Sequence, residues 1–277
     1  MLSKLIHAFI VSMFLVSLTS CMNQDEKGNG EDDVAPDVSD YNKPELVMKP
    51  VTKDKPEGDT TTPDPPSEPP KEDLISKIKP EREGPDPVEL ENRRKVRGLF
   101  DQGVRKLKRN EYLASIRDFD QVLQIDPDNS RAYYNRGFAY YHLEMYSEAE
   151  ADFDKSVELN PNDSSSFLYK GMIKYFKNNF EGAIEEYNKS IERAPQYSKA
   201  YYNRGLAKGR MQDLSGAIND FNKAIEIDPN NKEAYYNRAL AYFMSGDTST
   251  ACTDWYKARN LGSLNAVEAI KYYCNDK

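Results

Sequence analysis

The feature that most constrains this chain is a proline that returns every 34 residues in its second half. Pro127, Pro161, Pro195 and Pro229 keep this spacing, and no other proline follows Pro87. A fixed period of this length indicates one helix–turn–helix unit repeated along the chain, because such a unit buries its apolar face only by stacking on its neighbours. The spacing therefore predicts an all-α solenoid, an architecture that presents a continuous binding surface.

Three further columns of residues keep the same register. One column of small residues runs Gly103, Gly137, Gly171, Gly205 and Ala239. A second small column runs Ser115, Ala149, Ala183, Ala217 and Ala251. A large aromatic column runs Phe119, Phe153, Tyr187, Phe221 and Trp255. Small residues let the two helices of a hairpin approach closely, and a large aromatic fills the space between neighbouring hairpins.

These columns resemble the tetratricopeptide-repeat family, and the resemblance extends from Val96 to Gly262. It implies a right-handed α-solenoid of five repeats, at residues 96–129, 130–163, 164–197, 198–231 and 232–263. A capping helix over residues 264–275 is expected to cover the last repeat, so that the folded domain spans residues 87–277. Asp86 and Pro87 have the pattern of a helix cap and a first helical residue, which would make the first helix about two turns longer than its counterparts. Two details depart from the family: Lys106 replaces a large residue in repeat 1, and repeat 5 lacks its proline.

Charged residues also follow the repeat, which favours a structural role for them. A base precedes an acid by 16 residues in four repeats: Arg136 and Asp152, Lys170 and Glu186, Arg204 and Asp220, Arg238 and Asp254. Residues so spaced lie at the same level of a helical hairpin, so we predict an ion pair within each repeat, worth about 0–1 kcal/mol.

The first 21 residues have the pattern of a targeting segment. Lys4 supplies a positive charge, and the apolar run of 14 residues that ends at Leu18 is short for a bilayer span. The segment LTSC that follows resembles a bacterial lipobox, which implies that Cys21 is lipidated and begins the mature chain. Two or three acyl chains make a durable anchor. We therefore expect a lipoprotein of the bacterial cell envelope, at the outer membrane on its periplasmic or surface face; the alternative is an ordinary signal peptide with a chance cysteine.

The next segment is predicted to be a disordered linker over residues 22–86. Residues 22–90 hold 12 of the 16 prolines, together with 19 acidic and 9 basic residues, a composition that buries too little apolar surface to order itself. The linker therefore accounts for the net charge of −8, and the array after it is near neutral. Because a near-neutral array lacks the positive surface that nucleic acid requires, we expect no nucleic-acid partner.

Two cysteines remain, Cys252 in repeat 5 and Cys274 at the end of the capping helix. Two antiparallel helices joined near Gly262 would bring them to about the same height, and export permits oxidation, which favours a disulfide. The alternative is a pair of buried free thiols that pack as small apolar side chains.

The sequence gives no sign of an enzyme, a cofactor or a metal site. Its two histidines are His7 in the targeting segment and His142 on a helix, so neither belongs to a cluster of ligands. Gly28 and Gly30 lie in the linker without a preceding strand, which argues against a phosphate loop. No serine stands in a nucleophile elbow. We therefore predict a protein that binds rather than catalyses.

The resemblance places the first helix of each repeat on the concave face of the array. The residues expected there are Tyr134, Asn135, Tyr169, Lys199, Tyr202, Asn203, Tyr236 and Asn237. The asparagine column resembles the ladder of O-GlcNAc transferases, whose amides bind the main chain of an extended peptide, while the tyrosines would add affinity. In the alternative, each asparagine bonds only to a neighbouring helix. A basic carboxylate clamp fits poorly, because Tyr134 and Phe138 stand where its basic and amide residues would be.

These observations predict a lipid-anchored, exported scaffold that binds a protein or peptide segment in its concave groove. One alternative is a component of an envelope machine for outer-membrane protein assembly, secretion or control of peptidoglycan hydrolases. A less favoured alternative is a glycan-binding module that uses the many tyrosines.

Overall fold

The computed structural model describes residues 86–274, and every regular element in that range is an α-helix. The helices are α1 Pro87–Leu107, α2 Tyr112–Ile125, α3 Ser130–His142, α4 Tyr146–Leu159, α5 Ser164–Phe176, α6 Phe180–Arg193, α7 Ser198–Arg210, α8 Leu214–Ile227, α9 Lys232–Met244, α10 Thr248–Asn260 and α11 Leu264–Tyr273. Residues 94–274 belong to one compact unit, and the described residues 86–93 belong to a second unit. Cys21, the rest of the targeting segment and the linker to residue 85 lie outside the described residues, as do residues 275–277. The predicted all-α repeat solenoid is confirmed.

The ten helices before α11 form five hairpins, each made of a first helix and a second helix. Successive hairpins pack against each other through the second helix of one and the first helix of the next. Consecutive first helices also contact each other, α3 with α5, α5 with α7 and α7 with α9, whereas no two second helices in the described range do so to the same extent. Because the more closely spaced helices lie on the inner side of a curved array, the first helices line its concave face.

The start and the turn of each hairpin have local causes in the sequence. The side chains of Asn129, Asp163 and Asn231 accept hydrogen bonds from the first backbone N–H groups of α3, α5 and α9. Inside the hairpins the chain reverses at a residue with positive φ, and these residues recur every 34 positions: Asn110, Glu144, Asn178, Gln212 and Gly246. A left-handed residue after a helix satisfies its last carbonyl groups, so each turn ends its first helix.

The first helix α1 has 21 residues where the other first helices have 13. It begins at Pro87, and the Val88 N–H donates to Asp86 Oδ1 at 2.9 Å. The predicted cap, the proline at the first helical position and the longer helix are therefore confirmed.

The core is built from the small and aromatic columns. A Cβ atom on Gly171 would lie 2.4 Å from the ring of Tyr187, and one on Gly205 would lie 2.7 Å from Phe221. The aromatic therefore occupies the space that the absent side chain leaves within its own hairpin. It also reaches the next hairpin, since Phe153 stacks on Tyr169 with ring centroids 5.4 Å apart.

The predicted ion pairs are present, and each extends to the preceding hairpin. Arg136 binds Asp152 of its own hairpin through two nitrogens, at 2.8 and 2.7 Å, and its third nitrogen lies 2.6 Å from Asp120 of the hairpin before. Arg204 repeats this with Asp220 and Asn188. A planar guanidinium can bind in two directions at once, so each base joins three helices. In repeat 1 the unusual Lys106 takes over, with Nζ 2.6 Å from Asp118.

The last helix, α11, packs on the fifth hairpin through Ala266, Ala269 and Ile270. A disulfide joins Cys252 of α10 to Cys274 at its end, with 5.7 Å between the two Cα atoms. The pairing favoured by the sequence therefore ties the cap to the array.

Candidate peptide-binding groove

Each first helix turns one stripe of side chains toward the concave face. On α7, Arg204 faces the second helices on both sides, because it contacts Asp220 of α8 and Asn188 of α6. The opposite side of α7 carries Lys199, Asn203, Leu206 and Arg210, whose spacing of four, three and four residues places them on one face. We call these four residues the α7 stripe. The equivalent stripes run Arg131, Asn135, Phe138 and His142 on α3, Ser165, Tyr169, Met172 and Phe176 on α5, and Glu233, Asn237, Leu240 and Met244 on α9.

Asn203 is the open asparagine of the predicted ladder. Its Nδ2 atom donates to the Lys199 carbonyl at 2.8 Å, and the side chain is partly exposed. Its Oδ1 atom has no partner within residues 86–274. An exposed amide oxygen of this kind can accept a hydrogen bond from the main chain of a ligand.

Asn135 and Asn237 differ from the expectation of three open amides. Both are only 1% exposed. Their Nδ2 atoms donate to the carbonyls of Arg131 and Glu233 at 2.8 and 2.9 Å, and their Oδ1 atoms are buried without a partner in the described structure. In this arrangement their amides stabilise their own helices and are closed to a ligand.

The difference between the asparagines comes from the preceding hairpin. The residue 35 positions before Asn237 is Tyr202, and Asn237 Nδ2 donates to its hydroxyl at 3.1 Å. The residue 35 positions before Asn203 is Leu168, which is shorter and has no hydroxyl group. The amide of Asn203 therefore stays open at the junction of the third and fourth hairpins.

The tyrosines expected in the groove are part of the core. Tyr134, Tyr169, Tyr202 and Tyr236 are between 3% and 8% exposed. The ring of Tyr169 contacts those of Tyr134 and Phe153, with centroids 6.2 and 5.4 Å away. Burial raises the pKa of Tyr236 to about 12, so its hydroxyl stays protonated at neutral pH. These side chains shape the wall of the groove and offer little surface for direct contact.

A row of stacked side chains, which the sequence analysis missed, joins successive hairpins at one edge of the groove. In each case the last residue of a stripe lies on the first residue of the preceding second helix. His142 stacks on Tyr112 with ring centroids 5.0 Å apart, and Phe176 stacks on Tyr146 at 5.9 Å. Arg210 continues the row, with its guanidinium carbon 4.9 Å from the ring centroid of Phe180. Its signal in the sequence is an offset of 30 residues that recurs with the 34-residue period.

The groove offers apolar and polar chemistry side by side. Met172 and Phe176 of α5 are partly buried, and Leu206 of α7 is 7% exposed. Lys199 is exposed at one end of the α7 stripe, and Arg210 lies at the other. No group of three or more residues that could ligate a metal occurs within residues 86–274. None of the helices described is both long and apolar enough to cross a bilayer.

Family comparisons agree with this architecture. The model of the tetratricopeptide repeat matches residues 130–163, and a second model, described as a TPR repeat, matches residues 103–144, 171–212 and 210–246. Among curated proteins, none matches this chain.

Several solved structures share the fold at low sequence identity. A MamA fragment from Desulfovibrio magneticus RS-1 is 23% identical over 60% of this chain and 94% of its own, with a TM-score of 0.55. YrrB, described as a TPR protein with an unusual peptide-binding site, is 21% identical over 66% of this chain and 96% of its own, with a TM-score of 0.54. PilF of Pseudomonas aeruginosa is 16% identical over 67% of this chain and 87% of its own, with a TM-score of 0.60. Together with the matching family models, these likenesses show that the chain belongs to the tetratricopeptide-repeat family.

Proposed function

We propose that this protein is a membrane-anchored, exported scaffold that binds an extended protein segment in its concave groove. The observation that carries the proposal is the open amide of Asn203 on a continuous concave face, with apolar side chains of two hairpins beside it. An amide that can accept from a ligand main chain suits a segment of extended backbone, whose N–H and C=O groups need partners. Apolar neighbours supply the burial that gives affinity.

The resemblance of the first 21 residues to a lipoprotein signal supports the anchor. Lipidated at Cys21, the array would stand away from the bilayer on the Pro-rich linker, whose flexible coil spans roughly 45–50 Å. Such a tether suits an adaptor that meets partners at the outer membrane. A role in an envelope machine is a narrower form of the same proposal.

A glycan-binding role has less support. Sugar binding by tyrosines requires exposed rings, and the four tyrosines of the predicted site are between 3% and 8% exposed. The stacked row at the groove edge uses its rings on each other.

Capture of partners by the full chain, extracted from membranes in mild detergent, tests the proposal. We expect wild type to retain a protein partner and Asn203→Ala to lose it, because the open amide is removed. Asn135→Ala is the matched control: the same change at a buried amide leaves the groove surface intact, so the partner should be retained by the folded variant. Cys21→Ala should release the chain from the membrane fraction before extraction.

Two results would contradict the proposal. Equal capture by wild type and Asn203→Ala would exclude the amide as a contact. Retention of Cys21→Ala in the membrane fraction would exclude the lipid anchor.

A further inference from the structure

We propose that Arg210 is an anion-binding subsite of the groove and that the bound segment carries an acidic side chain there. The inference rests on the proposed function, because it assigns a chemical preference to the ligand of the same groove. It starts from the one arginine of the stacked row.

Arg210 is the last residue of α7, and two aromatic rings support its guanidinium group. The guanidinium carbon lies 4.9 Å from the ring centroid of Phe180 and 6.0 Å from that of Tyr175. Both rings belong to the third hairpin, so the side chain reaches across the junction beside which Asn203 is open. Rings attract a cation through their faces and so fix the plane of the guanidinium group.

The same arginine has no carboxylate partner within residues 86–274. This contrasts with Arg136, Arg204 and Arg238 of the first helices, each of which binds an aspartate through two nitrogens. Stacking leaves the N–H groups at the edge of a guanidinium without acceptors, because a ring face is a poor substitute for an oxygen. Arg210 is therefore held in place while its hydrogen-bonding edge is unused.

A carboxylate matches that edge. A guanidinium donates two parallel hydrogen bonds to the two oxygens of one carboxylate, and both groups are charged, which makes the pair roughly twice as strong as a neutral hydrogen bond. A ligand amide or hydroxyl would satisfy one N–H group without the charge. The geometry therefore points to Asp or Glu in the ligand.

The distance from Asn203 sets a spacing for the acid. Seven residues of α-helix separate Asn203 from Arg210, a rise of about 10 Å. An extended segment that follows α7 covers this distance in about three residues. Leu206 lies between the two, so we expect an apolar ligand residue between the main-chain contact and the acid.

Selection from a random decapeptide library displayed on phage, with the full chain as bait, separates this inference from the proposed function. We expect enriched peptides with an excess of Asp or Glu beside an apolar residue. No enrichment of any peptide would overturn the proposed function itself. Enrichment without an acidic excess would overturn the Arg210 subsite alone.

A double-mutant cycle on one enriched peptide then assigns the contact. Changing its acid to the amide, or changing Arg210→Gln in the protein, should each weaken binding roughly 10-fold, and the two changes together should cost no more than one. The control is Arg259→Gln: its guanidinium carbon also lies over a ring, 5.0 Å from that of Tyr256, but it is on the second helix α10. Additive losses in the cycle, or an equal loss with Arg259→Gln, would overturn the subsite.

Discussion

Single residues determine where this repeat array is open and where it is closed. Asn135, Asn203 and Asn237 occupy equivalent positions of three repeats, and two of them are 1% exposed while Asn203 is partly exposed. The cause is one side chain in the preceding hairpin, where Leu168 replaces the tyrosine that covers Asn237. A repeated residue therefore has a repeated role only where its neighbours repeat as well.

The turns of the hairpins carry the clearest residue-scale strain. Glu144 and Gln212 adopt φ values of 58° and 64°, while the equivalent residues in the other hairpins are asparagine or glycine. A left-handed conformation costs a residue with a Cβ atom about 1–2 kcal/mol, and part of that is offset by the greater entropy of glycine in the unfolded chain.

We expect Glu144→Gly to raise the free energy of unfolding by about 0.5–1 kcal/mol, because glycine adopts this conformation without a steric penalty. Urea unfolding followed by circular dichroism measures the change. Glu148→Gly is the control, since it places glycine at an exposed position inside α4 and should lower stability by about 1 kcal/mol. A loss of stability with both variants would show that the turn is not strained.

At the scale of the helices, charged side chains hold neighbouring hairpins in register. Each base on a first helix binds an acid of its own hairpin and a polar residue of the preceding one. Glu186 of α6 receives lysines instead: Lys174 Nζ lies 2.7 Å away, Lys189 Nζ 3.2 Å and Lys170 Nζ 3.7 Å. Burial of this carboxyl group raises its pKa, but the hydrogen bond from Lys174 and the charges of the lysines outweigh it, so its pKa lies below the usual 4.5.

A lowered pKa in the folded state gives a stability that depends on pH in a defined direction. The contribution of Glu186 is fully present above its unfolded pKa near 4.5 and is lost as the pH falls through the lower folded value. We expect Glu186→Gln to lower the free energy of unfolding at pH 7 by about 1–3 kcal/mol, and the difference from wild type to shrink below pH 4.5.

Urea titrations of both chains between pH 7 and pH 3 measure this difference. Glu185→Gln removes the same charge from an exposed neighbour on α6 and should have little effect at any pH. A difference for Glu186→Gln that stays constant over the whole pH range would contradict the interpretation.

At the scale of the whole array, stability is close to a sum of hairpins and the interfaces between them, so its ends are the first parts to open. The disulfide between Cys252 and Cys274 acts at such an end. It closes a loop of 22 residues and ties α11 to α10.

We expect loss of the disulfide, in Cys252→Ala with Cys274→Ala, to destabilise the C-terminal end by about 2–4 kcal/mol, because the unfolded chain regains the entropy of the closed loop. Hydrogen exchange should become faster in α10 and α11 and stay unchanged in α3 and α4, which contact neither cysteine. A reductant applied to wild type should reproduce the pattern and have no effect on the variant. Uniform acceleration along the chain would show that the array unfolds as one unit.

Much of the fold follows from local signals in the sequence. The 34-residue period, the caps at Asn129, Asp163 and Asn231 and the small residues opposite aromatics depend on contacts within one repeat or between identical neighbours. The pairing of Arg136 with Asp152 follows in the same way, since a spacing of 16 residues sets one level of a hairpin. Such contacts can be predicted because helix geometry fixes them.

The exposure of the groove could not be predicted in this way. Whether an asparagine meets solvent depends on a side chain 35 residues earlier, and whether an arginine has a partner depends on rings 30 and 35 residues earlier. The sequence by itself determined a repeat solenoid with a regular core. Only the tertiary structure decided that Asn203 and Arg210 form its open site, because burial and pairing across hairpins arise from side chains that meet only when the repeats stack.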